Sequence, residues 1–455
     1  MSSSVRCITV VGLLAAILQL GCSPRSGSHP DVLLITIDTL RADFVHSYGF
    51  SREITPNMDA LAARGVLFET AIAASTATVP AHASIMTSRY VREHSVGSEN
   101  GATRLTGVTT LAESLRSAGY DTAAFVSNVV LKTRTGLDQG FDVYDDLLPS
   151  SEANRGEYFE RTADDTAGRA LAWLAQPRDR PFFLWVHLQD PHGPYTPPGA
   201  WADVVDEVPL RTDRVLSVLP VNRGRGGIPS YQALVGIRRA PRYAALYAGE
   251  IAFTDHWVGE LLAAVDGDDA VIALTADHGE SLDENGFFFQ HGHTTTPEQA
   301  LVPLIVVAPG IAPRRIEGVT SHVDIAPTLL ELAGLAKLEA ASGISLVPAL
   351  RGEAPLPDRV VLSDVGHELS AYDSRGYLTV KILGKGPLGQ GRPLHPQRFE
   401  RVEGGWRKSA ASPLPPEIHG YLASAVTPVP AHAMSDEDVE RLRALGYLPP
   451  APVED

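Results

Sequence analysis

Two cysteines in 455 residues, no run of basic side chains, no internal repeat and no apolar stretch of bilayer length: these are the first features of the sequence. Each absence excludes something. Cys7 and Cys22 both fall in the first 22 residues, so an exported mature chain would fold without a disulfide. A formal net charge of −16, with no aromatic-basic stripe to offset it, argues against a nucleic-acid surface. Any anionic substrate must therefore be held by local devices such as a metal, histidines and helix ends. The apolar run at 8–20 is too short to cross a membrane.

What is present reads as a globular protein. A hydrophobic content of 44% with 20% charge is normal for a soluble fold, and the length predicts one large domain with a smaller one. Arg6 and the short apolar run that follows it match the start of a signal peptide. LQLGCS resembles a bacterial lipoprotein signal, with Cys22 lipidated and made the mature N-terminus; Gln19 is unusual there, so ordinary secretion stays open. The expectation is a signal over 1–22, a tether over 23–30, and an exported protein of the periplasm or cell envelope, attached to the membrane through Cys22.

VLLITID (32–38), DTAAFVS (121–127), PFFLWVHL (181–188) and AVIALTAD (270–277) are continuous apolar runs, as expected of strands buried on both faces. Helical patterns at 111–118, 161–175 and 243–265 alternate with them, and LVPLIVVAPG and DIAPTLLELAG follow. The alternation predicts an α/β fold, a doubly wound and mostly parallel sheet, over 31–354. Beyond residue 354 the pattern changes. VVLSDV and YLTVKIL predict a small C-terminal antiparallel α+β subdomain over 355–455, with proline-rich joints at 393–430 and a terminal helix at 434–448. The stretch 196–241, rich in Pro, Gly and Arg, reads as an insertion or lid.

The chain is organised around TVPAH at 78–82. Thr78 reads as an N-cap, Pro80 suits a first turn, and the helix end offers free N–H groups to a tetrahedral anion. His82, one turn on, can face the same anion. On these residues alone an ordinary capped helix is the simpler reading. Two strands end in carboxylates, Asp38 and Asp277, with His278 next; in an open α/β sheet ligands bind at those ends. An Asp/Asp/His set suits a hard or intermediate divalent ion.

ITIDTLRAD, TVPAHASIMTSRY, FFLWVHLQDPHGPY, ALTADHGESLDENG with its later HGH, and LVPLIVVAPG, in this order, resemble the sulfatase family of the alkaline phosphatase superfamily. The resemblance covers about 31–335, and GISLVPALRG continues it. It implies that Asp38, Asp277 and His278 hold a metal (Mn, Zn, Ca or Mg; one ion) together with Thr78, which stands at the nucleophile position. It further implies that His192 contacts the anionic group or leaving oxygen, and that His293 falls near a substrate-binding position. His291 is as readily a structural neighbour, Glu280 a capping acid, and His322 and Asp324 helix-start residues.

The departures matter as much. Sulfatases of the pattern carry Cys or Ser oxidised to formylglycine; Thr78 cannot yield that aldehyde, so none is expected. Thr39 stands where a second metal aspartate is usual, His82 where an arginine is, and Ser127 and Asn128 where a lysine is. What remains resembles the branch of the superfamily in which a threonine hydroxyl attacks directly. The expected activity is hydrolysis of a sulfate or phosphate mono- or diester, small-molecule, glycan or lipid, through a covalent Thr78 ester, with His82, His192 or His293 serving the nonbridging oxygens or leaving group. Alternatives are a phosphoryl-headgroup transferase, and a degenerate sulfatase that only binds anionic glycans.

Overall fold

The computed structural model describes residues 29–97, 103–152, 155–265, 269–385, 390–393, 396–402, 405–410 and 416–423. The expected signal segment, Cys22 and the terminal helix lie outside the described residues.

The apolar runs do form strands. They are β1 (Asp31–Ile37), β2 (Val66–Ile72), β3 (Asp121–Phe125), β4 (Val143–Asp145), β5 (Phe182–Leu188), β6 (Ala270–Ala276), β7 (Leu301–Val302), β8 (Leu304–Val307) and β9 (Arg314–Ser321). One sheet joins them in the order β7-β2-β8-β6-β1-β5-β3-β4, with β9 also on β2. β1 runs parallel to both β6 and β5, and β3 parallel to β5 and β4; β8 is antiparallel to β6 and β2. The central strands are buried along their whole length because helices cover both faces, which is why they read as unbroken apolar runs.

Those helices include α1 (Pro56–Arg64), α2 (Thr78–Thr87), α3 (Leu111–Ser117), α4 (Ala163–Leu174), α5 (Ala240–Val265) and α6 (Ile325–Leu332). All ten residues of α2 are buried, so it is a core helix and not a surface one. Among the described residues no helix is long and apolar enough to cross a membrane.

The C-terminal strands β10 (Val361–Asp364), β11 (Glu368–Asp373), β12 (Gly376–Lys385), β13 (Gln390–Pro393), β14 (Gln397–Val402) and β15 (Gly405–Lys408) form a second, antiparallel sheet ordered β10-β11-β12-β14-β15, with β13 also on β12. The sequence reading of 393–430 as proline-rich joints is corrected here: β14, β15 and a helix at Pro416–Ala423 occupy much of it. The second sheet shares a core with Ala74, Tyr90 and Val323 of the larger unit, and the Asp364 amide donates to the Ala74 carbonyl at 2.9 Å. The buried Arg92 guanidinium meets Asp364 at 2.8 Å across the same seam.

Candidate active site

Register builds the site. Ile37 lies opposite Ala276 in the parallel β1–β6 pair, so the next residues, Asp38 and Asp277, leave the sheet side by side at its carboxyl edge. Thr39 turns the chain sharply with φ 56°, a left-handed conformation costly for a β-branched residue. The strain has a use: it aims the Thr39 amide at Asp277 Oδ1, 3.1 Å away. Tyr247 of α5 clamps that turn, donating to the Thr39 carbonyl at 2.7 Å and accepting from the Arg41 amide at 3.0 Å.

Asp38, Asp277, His278 and Thr78 are all fully buried. His278 Nδ1 sits 3.0 Å from the Gly279 carbonyl, which can only accept, so Nδ1 carries the proton and Nε2 presents a lone pair. That Nε2 lies 3.5 Å from Asp277 Oδ2, 3.9 Å from Asp38 Oδ1 and 3.3 Å from Thr78 Oγ1. Neither Asp38 Oδ1 nor Asp277 Oδ2 receives a hydrogen bond. With both carboxyls ionised, two carboxylate oxygens and an imidazole lone pair thus face one another in a buried site, and among the described residues the Thr78 hydroxyl is the donor within reach of His278 Nε2. Such a set is unfavourable alone and fits a divalent cation. Burial raises the carboxyl of Asp38, but His187, His192 and His278 outweigh it and hold the group below the usual range. Burial and the Asp38 charge together push Asp277 well above it.

The Thr78 hydroxyl was expected to cap the helix. The helix instead starts at Thr78 itself, after Ala77, with no side-chain cap, and the hydroxyl turns to His278. His82 is enclosed behind it, with Nδ1 3.9 Å from Asp277 Oδ2 and its ring edge-on to His187 at 5.0 Å. Burial, reinforced by His187, holds His82 far below the ordinary imidazole range. His192 stands across the site through His291: the His192 and His291 rings are 5.1 Å apart, and those of His291 and His278 4.5 Å. Tyr231, from the stretch read as a lid, packs on His192 at 6.3 Å. Gly193 permits this approach, since a Cβ there would meet Gln232 Nε2 at 1.9 Å.

His293 goes elsewhere. Its ring lies on Phe287 at 3.8 Å and meets Gln299 at 3.0 Å, in the wall of a cavity of about 700 Å³ bordered by Arg225, Lys381 and Phe399. Burial lowers its pKa to about 3. His322 and Asp324 hold local structure: the His322 ring bridges the Ala74 amide and the Ala276 carbonyl, and Asp324 accepts from the Ser321 amide.

Of two further groups beside the carboxylates, His187 escaped the motif reading, while Asn128 entered it only as a residue standing where a lysine is usual. His187, on β5, places Nε2 3.6 Å from Asp38 Oδ2, and Asn128 Nδ2 donates to that same oxygen at 2.9 Å. A lone histidine inside the apolar run FFLWVHL was the available signal for His187.

Glu280 is fully buried with His291 Nδ1 3.4 Å away, and burial raises its pKa to about 8. A carboxyl raised this way stabilises the fold at acid pH and loses that contribution as pH climbs from its ordinary value through about 8. Glu280→Gln, a neutral isostere, is expected to fold normally and to remove that part of the decline in Tm between about pH 5 and about pH 9. A decline of unchanged slope would rule this out.

Residues 30–335 match the family model described as Sulfatase. A choline-sulfatase from Rhizobium meliloti (strain 1021) is 28% identical over 390 residues, covering 71% of this chain and 72% of its own. The multifunctional alkaline phosphatase superfamily protein PehA of Trinickia caryophylli is 26% identical over 402 residues, covering 71% and 78%. The phosphonate monoester hydrolase of Agrobacterium radiobacter has the same fold, with a TM-score of 0.64 at 22% identity over 82% of this chain and 89% of that one. With ordered motifs, a strand-edge Asp/Asp/His site and a family model spanning well over half its length, this chain belongs to the sulfatase family.

Proposed function

We propose that the protein is a metal-dependent ester hydrolase in which the unmodified Thr78 hydroxyl attacks the sulfur or phosphorus of its substrate. The observation that supports this most is the placement of Thr78 Oγ1. It lies at the first residue of a buried helix, 3.3 Å from His278 Nε2, the same nitrogen that approaches the two carboxylate oxygens lacking donors. A divalent ion bound by Asp38, Asp277 and His278 would lower the hydroxyl pKa and offset charge on the transferred group. Its proton released to solvent water, Thr78 Oγ then forms the new ester bond while the bond to the leaving oxygen breaks. His192, whose ring lies 5.1 Å from that of His291, would give that oxygen its proton. Water next cleaves the Thr78 ester, releasing the acid and restoring the hydroxyl.

The relatives bracket the substrate. One is named a choline-sulfatase, and a structural neighbour a phosphonate monoester hydrolase. A direct threonine alkoxide, without the formylglycine route for expelling sulfate, favours phosphate or phosphonate esters. The test is turnover of matched aryl sulfate, aryl phosphate, aryl phosphodiester and aryl phosphonate by the Mn²⁺- or Zn²⁺-loaded chain, before and after chelation. Faster phosphorus ester cleavage that chelation abolishes is the expected result. Preference for the sulfate would overturn the substrate assignment while keeping the nucleophile. Turnover that survives complete metal removal would overturn the site.

A further inference from the structure

His82 lies where a cationic substrate ligand was expected, yet its surroundings give it another task. Three hydrogen bonds run through it. Trp185 Nε1, on β5, donates to Thr36 Oγ1 on β1 at 2.9 Å. Thr36 Oγ1 lies 3.0 Å from His82 Nε2, and His82 Nδ1 lies 2.8 Å from the Thr78 carbonyl.

Only one arrangement of protons satisfies all three. An indole N–H can only donate and a carbonyl can only accept, so both ends of the chain have a fixed sense. His82 Nδ1 must carry a hydrogen, since a bare lone pair 2.8 Å from a carbonyl oxygen would be repulsive. In the neutral ring Nε2 is then the acceptor, and the Thr36 hydroxyl, which already accepts from Trp185, supplies its own proton to it. The sequence is Trp185 N–H to Thr36 O–H to His82 to the Thr78 carbonyl, every donor matched. Thr36, Trp185 and His82 are fully buried, so water does not compete for any of these bonds.

This direction decides what His82 can do. Its Nδ1 lone pair is absent, so the ring is no ligand for a cation at Asp277 Oδ2 despite the 3.9 Å approach. Its Nε2 points into the sheet and away from the site. We propose that His82 is a positioning residue: with Thr36 and Trp185 it locks the backbone of Thr78, so that the hydroxyl is held from behind while His278 meets it from the front. The inference rests on Thr78 being the nucleophile. It assigns His82 no contact with substrate.

Two substitutions separate this from the alternatives. The side-chain nitrogen of asparagine falls near the Nδ1 position of histidine, so His82→Asn keeps a donor for the Thr78 carbonyl, whereas His82→Leu fills the space without one. His82→Leu is expected to lower kcat about 100-fold with KM and bound metal nearly unchanged, the scale of a misplaced reacting group. His82→Asn is expected to recover to within about tenfold of the parent. A purely space-filling role predicts that Leu does at least as well as Asn. A substrate-binding or acid role predicts no rescue by Asn and a change in KM or in the pH profile. Either result overturns the proposal.

A second readout does not depend on turnover. Nitrogen-15 NMR of the full chain labelled at histidine, with His82→Asn to identify the signal, should show His82 as the Nδ1–H tautomer. Thr36→Val should perturb that signal. An Nε2–H tautomer would overturn the hydrogen-bond chain whatever the role of Thr78. A correct tautomer with a fully active Thr78→Ala would instead overturn only the nucleophile reading on which the inference rests.

Discussion

Thr78→Ala is expected to lower kcat by about four orders of magnitude, with the fold and the bound metal retained. The expectation follows from burial and aim. Thr78 Oγ1 is the one hydroxyl described within hydrogen-bonding reach of His278 Nε2, and no cysteine stands in the described chain to replace it as a nucleophile. Removing Oγ deletes the attacking atom but leaves the helix intact, since that oxygen makes no cap and alanine favours the helical backbone. Thr78→Ser should retain activity to within about tenfold, because the attacking atom survives and only the rotamer restraint of the β-methyl is lost. The measurement is single-turnover kinetics on the best aryl ester, with metal content checked in each variant. A Thr78→Ala enzyme working at the parental rate would refute direct attack by threonine.

The second large effect concerns Asp277, and it has two signs. Asp277→Asn should cut metal content and activity at least about tenfold, since it removes a carboxylate whose Oδ2 faces His278. In chelator, above the pH at which Asp277 gives up its proton, the same variant should be more stable than the parent. The remaining oxygen can still accept from the Thr39 and His278 amides, bonds that are 3.1 and 2.7 Å in the parent. The new amide N–H can in turn donate to His278 Nε2, ending an arrangement of acceptors alone. Relief of about 1–3 kcal/mol is the scale expected for a buried polar group that gains its partner. The pH dependence gives a further check. The Asp277 pKa is raised in the metal-free fold, by burial first and then by Asp38. Its contribution is therefore favourable in acid and is lost as pH rises above the ordinary carboxyl value. The chelated parent should become less stable over that rise, and Asp277→Asn should not share this component. Thermal melts with and without chelator across pH measure both. A chelated variant less stable than the chelated parent would show that the facing acceptors are satisfied in some other way.

How much of this was legible beforehand depends on the kind of signal each residue leaves. Asp38 and Asp277 were readable because a doubly buried strand is an unbroken apolar run, and the acid that ends it is conspicuous; parallel register then aligns the two ends. His187 left almost no trace. It is one polar residue inside such a run, and only its register opposite Thr36 brings it beside Asp38. The HGH loop shows a different failure. His291 and His293 are two apart and equivalent in sequence, yet the first turns to His278 and the second to Phe287. Loop backbone carries no period from which that could be read. The small antiparallel sheet of the C-terminal region was readable, but the stretch 393–430 was misjudged because its prolines read as breaks, whereas β14 and β15 fit between them. His82 was read as facing the same anion as Thr78, whereas the atoms around it join it to Thr36 and to the Thr78 carbonyl and show which way its protons run.

The second sheet also constrains how such a chain can be cut or recombined. Its Asp364 amide holds the Ala74 carbonyl, four residues before Thr78, while its Glu368 carboxylate accepts from the Thr295 amide, two residues beyond His293. The same small sheet thus splints two separate loops of the larger unit, one leading into the Thr78 helix and one leaving the histidine loop. A boundary drawn near residue 354 marks a change of architecture but not a seam along which function divides. Exchanging the last hundred residues for those of a relative would be an operation on the loops that carry the candidate site, and a graft that broke these two anchors would lose that site along with the sheet.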